Sequence, residues 1–123
     1  MMKVLYVEDH PAQSDIIKQM LEFAEHEVVL ASSGEEGIKK AREEQPDVIL
    51  MDLRMPGMGG VEAVKRLKSD PAVSNIPVIV ISAWTSRANR DEALQAGAAK
   101  FMAKPVDTKR LIEHINNLVS SNE

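Results

Sequence analysis

Residues 48–60 read Val48-Ile49-Leu50-Met51-Asp52-Leu53-Arg54-Met55-Pro56-Gly57-Met58-Gly59-Gly60. Four apolar residues follow one another without alternation and then meet a single carboxylate. A continuous apolar run suits a strand buried on both faces, as in a parallel sheet covered by helices, rather than a strand with one wet face. Pro56-Gly57 reads as a turn. Gly59-Gly60 then lead into a helical segment, Val61 to Leu67, and either allow close backbone approach or are plain loop chemistry. The stretch is a strand, a loop and a helix, with Asp52 at the point where the strand leaves the core.

The same unit recurs on both sides. Further apolar runs are Val4-Leu5-Tyr6-Val7, Val28-Val29-Leu30, Val78-Ile79-Val80-Ile81 and Phe101-Met102-Ala103. Helical patterns separate them. The first covers Gln13 to Phe23, with Ile16, Ile17, Met20 and Leu21 on one stripe. The second opens at Ser33, with Glu36 at capping-box spacing, and runs to about Glu44. The fourth spans Ala88 to Ala96 and stops at Gly97. The last begins after Asp107, a good N-cap, and carries Leu111, Ile112, Ile115, Leu118 and Val119. Five alternations of strand and helix predict an α/β fold with right-handed crossovers.

Composition narrows the function. A chain of 123 residues accommodates one domain with one core. The net charge of -4 and the scattered Lys and Arg lack the footprint of a nucleic-acid binder. The absence of cysteine excludes disulfides and thiolate metal sites. No apolar run approaches the ~20 residues of a membrane span, and Glu8 and Asp9 come too early for a signal peptide. The expected location is cytoplasmic, with no membrane or nucleic-acid partner. No linker, repeat or second domain is visible.

Open parallel sheets bind ligands at the carboxyl ends of their strands. Here those ends present Glu8-Asp9, Asp52, Ser82 and Lys104-Pro105. Each has a plain reading alone: Asp9 as a cap for the first helix, with Pro11 in its first turn; Ser82 as a partner for loose backbone groups; Lys104 as a solvated lysine. Together they form a pattern. Three carboxylates in one cleft repel, and a hard divalent cation such as Mg²⁺ relieves that repulsion. His10, the nearby imidazole, reads as a loop residue, and His26 and His114 as solvated. An ammonium and a hydroxyl beside a metal suit a phosphoryl group.

The segments VLYVEDH (4–10), VILMDLRMPGMGG (48–60), VIVISA (78–83) and GAAKFMAKPVD (97–107) stand in the order of the receiver domain of two-component response regulators. The chain resembles that family over its whole length, as a stand-alone, chemotaxis-regulator-like member. The resemblance implies a flavodoxin-like (βα)5 fold, doubly wound, with strand order 2-1-3-4-5; that order is carried over from the family, not read from the runs. It implies that Asp52 is the phosphoacceptor, assisted by Lys104 and Ser82. Asp9, Asp52 and the backbone carbonyl of Arg54 would be direct Mg²⁺ ligands, and Glu8 a ligand through water. Ser82 and Phe101 would be the switch pair, and the bond before Pro105 would be cis.

The implied partners are a histidine kinase or histidine phosphotransfer protein, docking beside the first helix near Gln13 and the loop after Lys104, and a downstream effector on the face formed by the fourth helix, fifth strand and fifth helix. The chain itself would be a phosphoacceptor rather than an enzyme. Ala98-Ala99-Lys100 stands where transcription-factor members often carry an acidic residue. This argues against their mode of dimerisation and for a monomer or weak dimer spanning residues 1–123 as one receiver domain without an output domain. Arg54, Trp84 and Ala83 would rim the cleft, with Trp84 either a lid or a partner anchor. Two other readings use the same residues: a Mg²⁺-dependent phosphate-ester hydrolase, although no cap or second acid/base carboxylate beside Asp52 is present, and an unphosphorylated dimerisation module.

Overall fold

The computed structural model describes residues 2–121. Strands β1 (Lys3–Val7), β2 (Glu27–Ala31), β3 (Val48–Asp52), β4 (Val78–Ser82) and β5 (Lys100–Ala103) alternate with helices α1 (Pro11–Phe23), α2 (Gly34–Glu44), α3 (Gly60–Ser69), α4 (Arg87–Ala96) and α5 (Thr108–Ser121). All neighbouring strands are parallel, in the order β2-β1-β3-β4-β5.

Side-chain alternation divides the core between the two faces of the sheet. Leu5, Val7, Ile49, Met51, Val78 and Val80 pack with Ala63, Val64 and Leu67 of α3 and Ala93 of α4. Val4, Tyr6, Val48, Leu50, Ile79 and Ile81 pack with Ile17 and Leu21 of α1 and Leu111 and Ile115 of α5. Burial on both faces holds fully for β3 and β4 and for β1 beyond Lys3. It does not hold for the edges: Val28, Val29 and Leu30 of β2 and Phe101 of β5 are only half-buried. Each edge strand has a neighbour on one side only, so its apolar run meets less covering structure.

The caps show how local chemistry sets the ends. Ser33 Oγ accepts the Glu36 N–H at 3.1 Å, while the Glu36 carboxylate accepts the Ser32 N–H at 3.0 Å, one residue before the cap. Asp107 accepts the Arg110 N–H at 3.2 Å. Helix α4 starts after Ser86, whose Oγ accepts the Asn89 N–H. Gly97 ends α4 in the left-handed region at φ 118°, where glycine carries no Cβ penalty. Asp9 is not the cap of α1. His10 occupies that position without a side-chain bond, and Pro11 fills the first turn.

The two glycines before Val61 have different roles. A Cβ on Gly60 would lie 2.2 Å from the Asp52 carbonyl oxygen, whereas one on Gly59 meets nothing closer than 3.7 Å. Gly60 also donates its N–H to Leu53 O at 2.9 Å. The loop leaving Asp52 can therefore fold straight back over the start of α3, which keeps the Asp52 side chain at the sheet edge.

Candidate functional site

Register brings the strand ends together. Val7 pairs with Met51, Asp52 with Ile81, and Ser82 with Ala103. The residue following each of β1 and β5 therefore projects beyond the same edge that Asp52 and Ser82 reach from inside.

Glu8 has a fully buried side chain, Asp52 is buried and Asp9 is half-buried. Lys104 Nζ lies 3.3 Å from Glu8 Oε1 and 3.6 Å from Asp52 Oδ2, and it donates to Gln13 Oε1 at 2.6 Å. Asp52 Oδ1 accepts the Arg54 N–H at 3.3 Å. Glu8 Oε2 and Asp9 Oδ1 are buried with no hydrogen-bond partner among the described residues. One ammonium does not balance this much carboxylate. Burial, and then the neighbouring Asp52, push the Glu8 carboxyl up to about 8, with Lys104 pulling the other way.

Ligand atoms from Glu8, Asp9, His10 and Asp52 all lie within 4.8 Å of one another. Two buried oxygens without partners in an oxygen-rich cluster fit a divalent cation, which would satisfy them and supply the missing charge. The site can hold a metal, with the carboxylates as principal ligands.

The buried Ser82 Oγ accepts the Trp84 N–H at 2.9 Å, and its own O–H remains to donate. Arg54 and Trp84 both stand exposed at the rim, and the Arg54 guanidinium carbon lies 2.9 Å from the centroid of the Trp84 ring. Ala83 is exposed beside them. It also lines a groove of about 630 Å³ between α1 and the loop after β5, along with Gln13, Ile16, Met20, Pro105 and Val106. The Lys104–Pro105 peptide bond is cis. Phe101 is not in the cluster: it is half-buried lower on β5, opposite Val80, with the Arg90 guanidinium 5.5 Å from its ring centroid.

Two contacts were not legible in advance. Gln13 is an anchor for Lys104 as well as a surface residue of α1. His10, expected as a loop residue, places Nδ1 3.2 Å from Asp9 Oδ1. The only signals were proximity: His10 adjoins the acidic pair, and Gln13 follows Asp9 by one helical turn.

A doubly wound parallel sheet with this grouping at its carboxyl edge defines the class of the protein, a receiver-type signalling module. The response regulator receiver domain matches residues 4–116, and the chain belongs to that family. It is 36% identical over 120 residues to protein PilH of Pseudomonas aeruginosa, covering 98% of this chain and 99% of PilH. The chemotaxis protein CheY4 of Vibrio cholerae has the same fold, with a TM-score of 0.89 and 30% identity over 96% of this chain and 98% of that one. The receiver domain of a sensor histidine kinase from Pseudomonas aeruginosa, solved with a magnesium ion coordinated in its active-site cleft, superposes with a TM-score of 0.90 at 28% identity, covering 97% of this chain and 98% of that chain. Receiver domains are the signalling modules of two-component systems and communicate with histidine kinases and effectors. No helix among the described residues is long and apolar enough to cross a membrane.

The raised Glu8 carboxyl has a consequence for the metal-free protein. The folded state holds a proton that the unfolded chain releases near pH 4.5. Stability contributed by that proton is complete below pH 4.5 and is lost as pH rises through about 8. In chelator, Glu8→Gln should therefore gain on the wild type as pH rises, by roughly 3–5 kcal/mol across that window at about 1.4 kcal/mol per pKa unit. Urea denaturation at several pH values measures the gap; a gap independent of pH would show that Glu8 carries no such burden.

Proposed function

We propose that the chain accepts a phosphoryl group on Asp52 from a phosphohistidine donor, in a Mg²⁺-dependent reaction, and relays the signal by changing its partner-binding surface. The observation that carries this reading is the buried Asp52 carboxylate with the Lys104 ammonium 3.6 Å from Oδ2 and unpartnered Glu8 and Asp9 oxygens alongside.

In this reading Asp9, Asp52 and the Arg54 carbonyl would hold the Mg²⁺ directly, and Glu8 would hold it through water. When bound, the ion would supply neutralising charge for the incoming phosphoryl oxygens. An Asp52 carboxylate oxygen forms the new bond to phosphorus as the nitrogen–phosphorus bond of the donor breaks, and the departing imidazole keeps the electron pair. Lys104 exchanges its contacts with Glu8 and Asp52 for the phosphoryl oxygens, and Gln13 keeps the ammonium at the mouth meanwhile. Ser82 donates its free O–H to the phosphoryl group. Its movement along β4 is passed to Phe101 on the neighbouring strand, so the α4–β5–α5 face becomes the effector surface. The groove between α1 and the loop after Lys104 receives the donor, because Lys104, which reaches Asp52, forms part of its wall and because it offers apolar walls at Ile16, Met20 and Val106.

An acyl phosphate donor with Mg²⁺ should label the wild type and leave Asp52→Asn unlabelled, and neither protein should turn over an added phosphate ester. Acid-stable labelling of the variant would refute Asp52 as acceptor, and ester turnover abolished by Asp52→Asn would establish the hydrolase instead.

Docking makes a separate demand. In chemical-shift mapping, a phosphohistidine donor protein should perturb α1 and the loop after β5, whereas an effector should perturb α4, β5 and α5. A single shared face would remove the division.

The stacked Arg54 and Trp84 form one cover over the mouth. Hydrolysis of an aspartyl-phosphate needs a water in line with the phosphorus–oxygen bond, and the cover restricts its approach. Replacing both residues with Ala should speed phosphate loss about three- to thirtyfold, roughly 0.7–2 kcal/mol in the barrier. Decay time courses for the wild type, both single variants and the double variant measure this; unchanged decay in the double variant would leave Trp84 as a partner anchor.

A further inference from the structure

The acidic cluster contains a group that the proposed chemistry does not use. His10 follows Asp9 and is exposed, yet its Nδ1 points back into the cluster, 3.2 Å from Asp9 Oδ1 and 3.6 Å from Glu8 Oε1. Capping does not account for this orientation. His10 is the N-cap residue of α1, but its side chain makes no cap hydrogen bond; the helix is held instead by the His10 carbonyl, which accepts the Ser14 N–H at 3.0 Å. Pro11 at the first helical position restricts the backbone on the other side. The imidazole is thus carried on a well-anchored backbone with its ring free to serve another purpose.

The spacing suits a shared ion. Neighbouring ligands on an octahedron with bonds of ~2.1 Å lie about 3.0 Å apart, and opposite ones about 4.2 Å. The 3.2 Å between Nδ1 and Asp9 Oδ1 is close to the first value, and the 4.8 Å limit on the whole four-residue group is close to the second. Two of the oxygens facing this space, Glu8 Oε2 and Asp9 Oδ1, are buried without a hydrogen-bond partner, and the Glu8 side chain is wholly buried. His10 does not satisfy them as a donor. A cation placed between imidazole and carboxylates would satisfy the oxygens and give the imidazole a role.

We propose that His10 is a protein ligand of the metal in this site, coordinating through Nδ1 beside Asp9, and that it shifts the preference of the site from Mg²⁺ toward borderline first-row cations such as Co²⁺, Ni²⁺ and Zn²⁺. The inference rests on the metal-binding reading above and adds a nitrogen donor to it. Carboxylate, carbonyl and water ligands favour hard cations, whereas an imidazole nitrogen favours the later transition metals. With no cysteine in the chain, the nitrogen is the feature that separates the two classes of ion here.

The test uses the whole chain and two readouts independent of phosphorylation. The first is electron spin-echo spectroscopy of bound Mn²⁺, which detects a directly coordinated imidazole nitrogen. The wild type should show the nitrogen coupling, and His10→Ala should lose it. The second is calorimetric titration with Mg²⁺, Ni²⁺ and Zn²⁺. Affinity for Ni²⁺ and Zn²⁺ should fall about tenfold or more in the variant, and affinity for Mg²⁺ much less, so that selectivity falls with the nitrogen. Mn²⁺ bound without nitrogen coupling, a coupling that survives in His10→Ala, or equal weakening of Ni²⁺ and Mg²⁺ would each overturn the His10 assignment while leaving the acidic site standing. Failure of both proteins to bind any divalent ion would overturn the metal-binding reading, and the His10 assignment with it.

Discussion

Glu8 and Asp52 are buried side by side, and two carboxylates cannot both stay ionised there without a cation. Lys104 meets part of that demand, reaching both at 3.3 and 3.6 Å. Its backbone is fixed by its N–H donating to Ser82 O at 2.9 Å, and its ammonium is steered by Gln13. The demand exceeds what one ammonium supplies, as the raised Glu8 carboxyl and the unpartnered Glu8 and Asp9 oxygens show. Such a site is held in a high-energy arrangement by the fold around it, and it gains from any further positive charge that can enter.

The sheet makes that arrangement sustainable. Glu8 and Asp52 extend from β1 and β3, interior strands whose apolar side chains pack on both faces. Stability comes from that core, and the acidic edge draws on it. Parallel pairing is essential here, because it brings the carboxyl ends of β1, β3, β4 and β5 to one side. An antiparallel sheet of the same residues would send neighbouring strand ends to opposite edges. Gly60 completes the geometry: any Cβ there would strike the Asp52 carbonyl and push apart the strand and the helix that follows it.

Much of this could be read from the sequence because it depends on short-range pattern. The unbroken apolar runs marked the interior strands, and the Ser33–Glu36 pair, Gly97 and Asp107 marked helix ends through local hydrogen bonds or backbone freedom. The strand-terminal residues Glu8, Asp9, Asp52, Ser82 and Lys104 could be grouped because a parallel sheet forces them to one edge. Where pattern misled, the cause was tertiary. The run in β2 resembles an interior strand, but its position at the edge leaves it half-covered. Asp9 had the composition of a helix cap, yet the helix begins one residue further on, which frees its carboxylate to face the cluster. Gln13 and His10 owe their roles to side-chain direction, which spacing in the sequence does not encode.

The stack of Arg54 on Trp84 joins the two loops that the proposed chemistry must coordinate. Each residue lies two positions beyond a reactive group, and each donates its backbone N–H to that group: Arg54 to Asp52 Oδ1, Trp84 to Ser82 Oγ. The cover is therefore tethered at both ends to the carboxylate and the hydroxyl beneath it. A cation–π contact contributes only about 0.5–2 kcal/mol, comparable to a single hydrogen bond to a charged group. A phosphoryl group on Asp52 would compete for the guanidinium and for the Ser82 hydroxyl at once, on the same energy scale. At that strength the stack orders the rim above Asp52 and Ser82 and leaves the guanidinium able to hold phosphoryl oxygens while it rests on the ring. Through these two backbone hydrogen bonds the exposed stack is tied to the buried edge of the sheet.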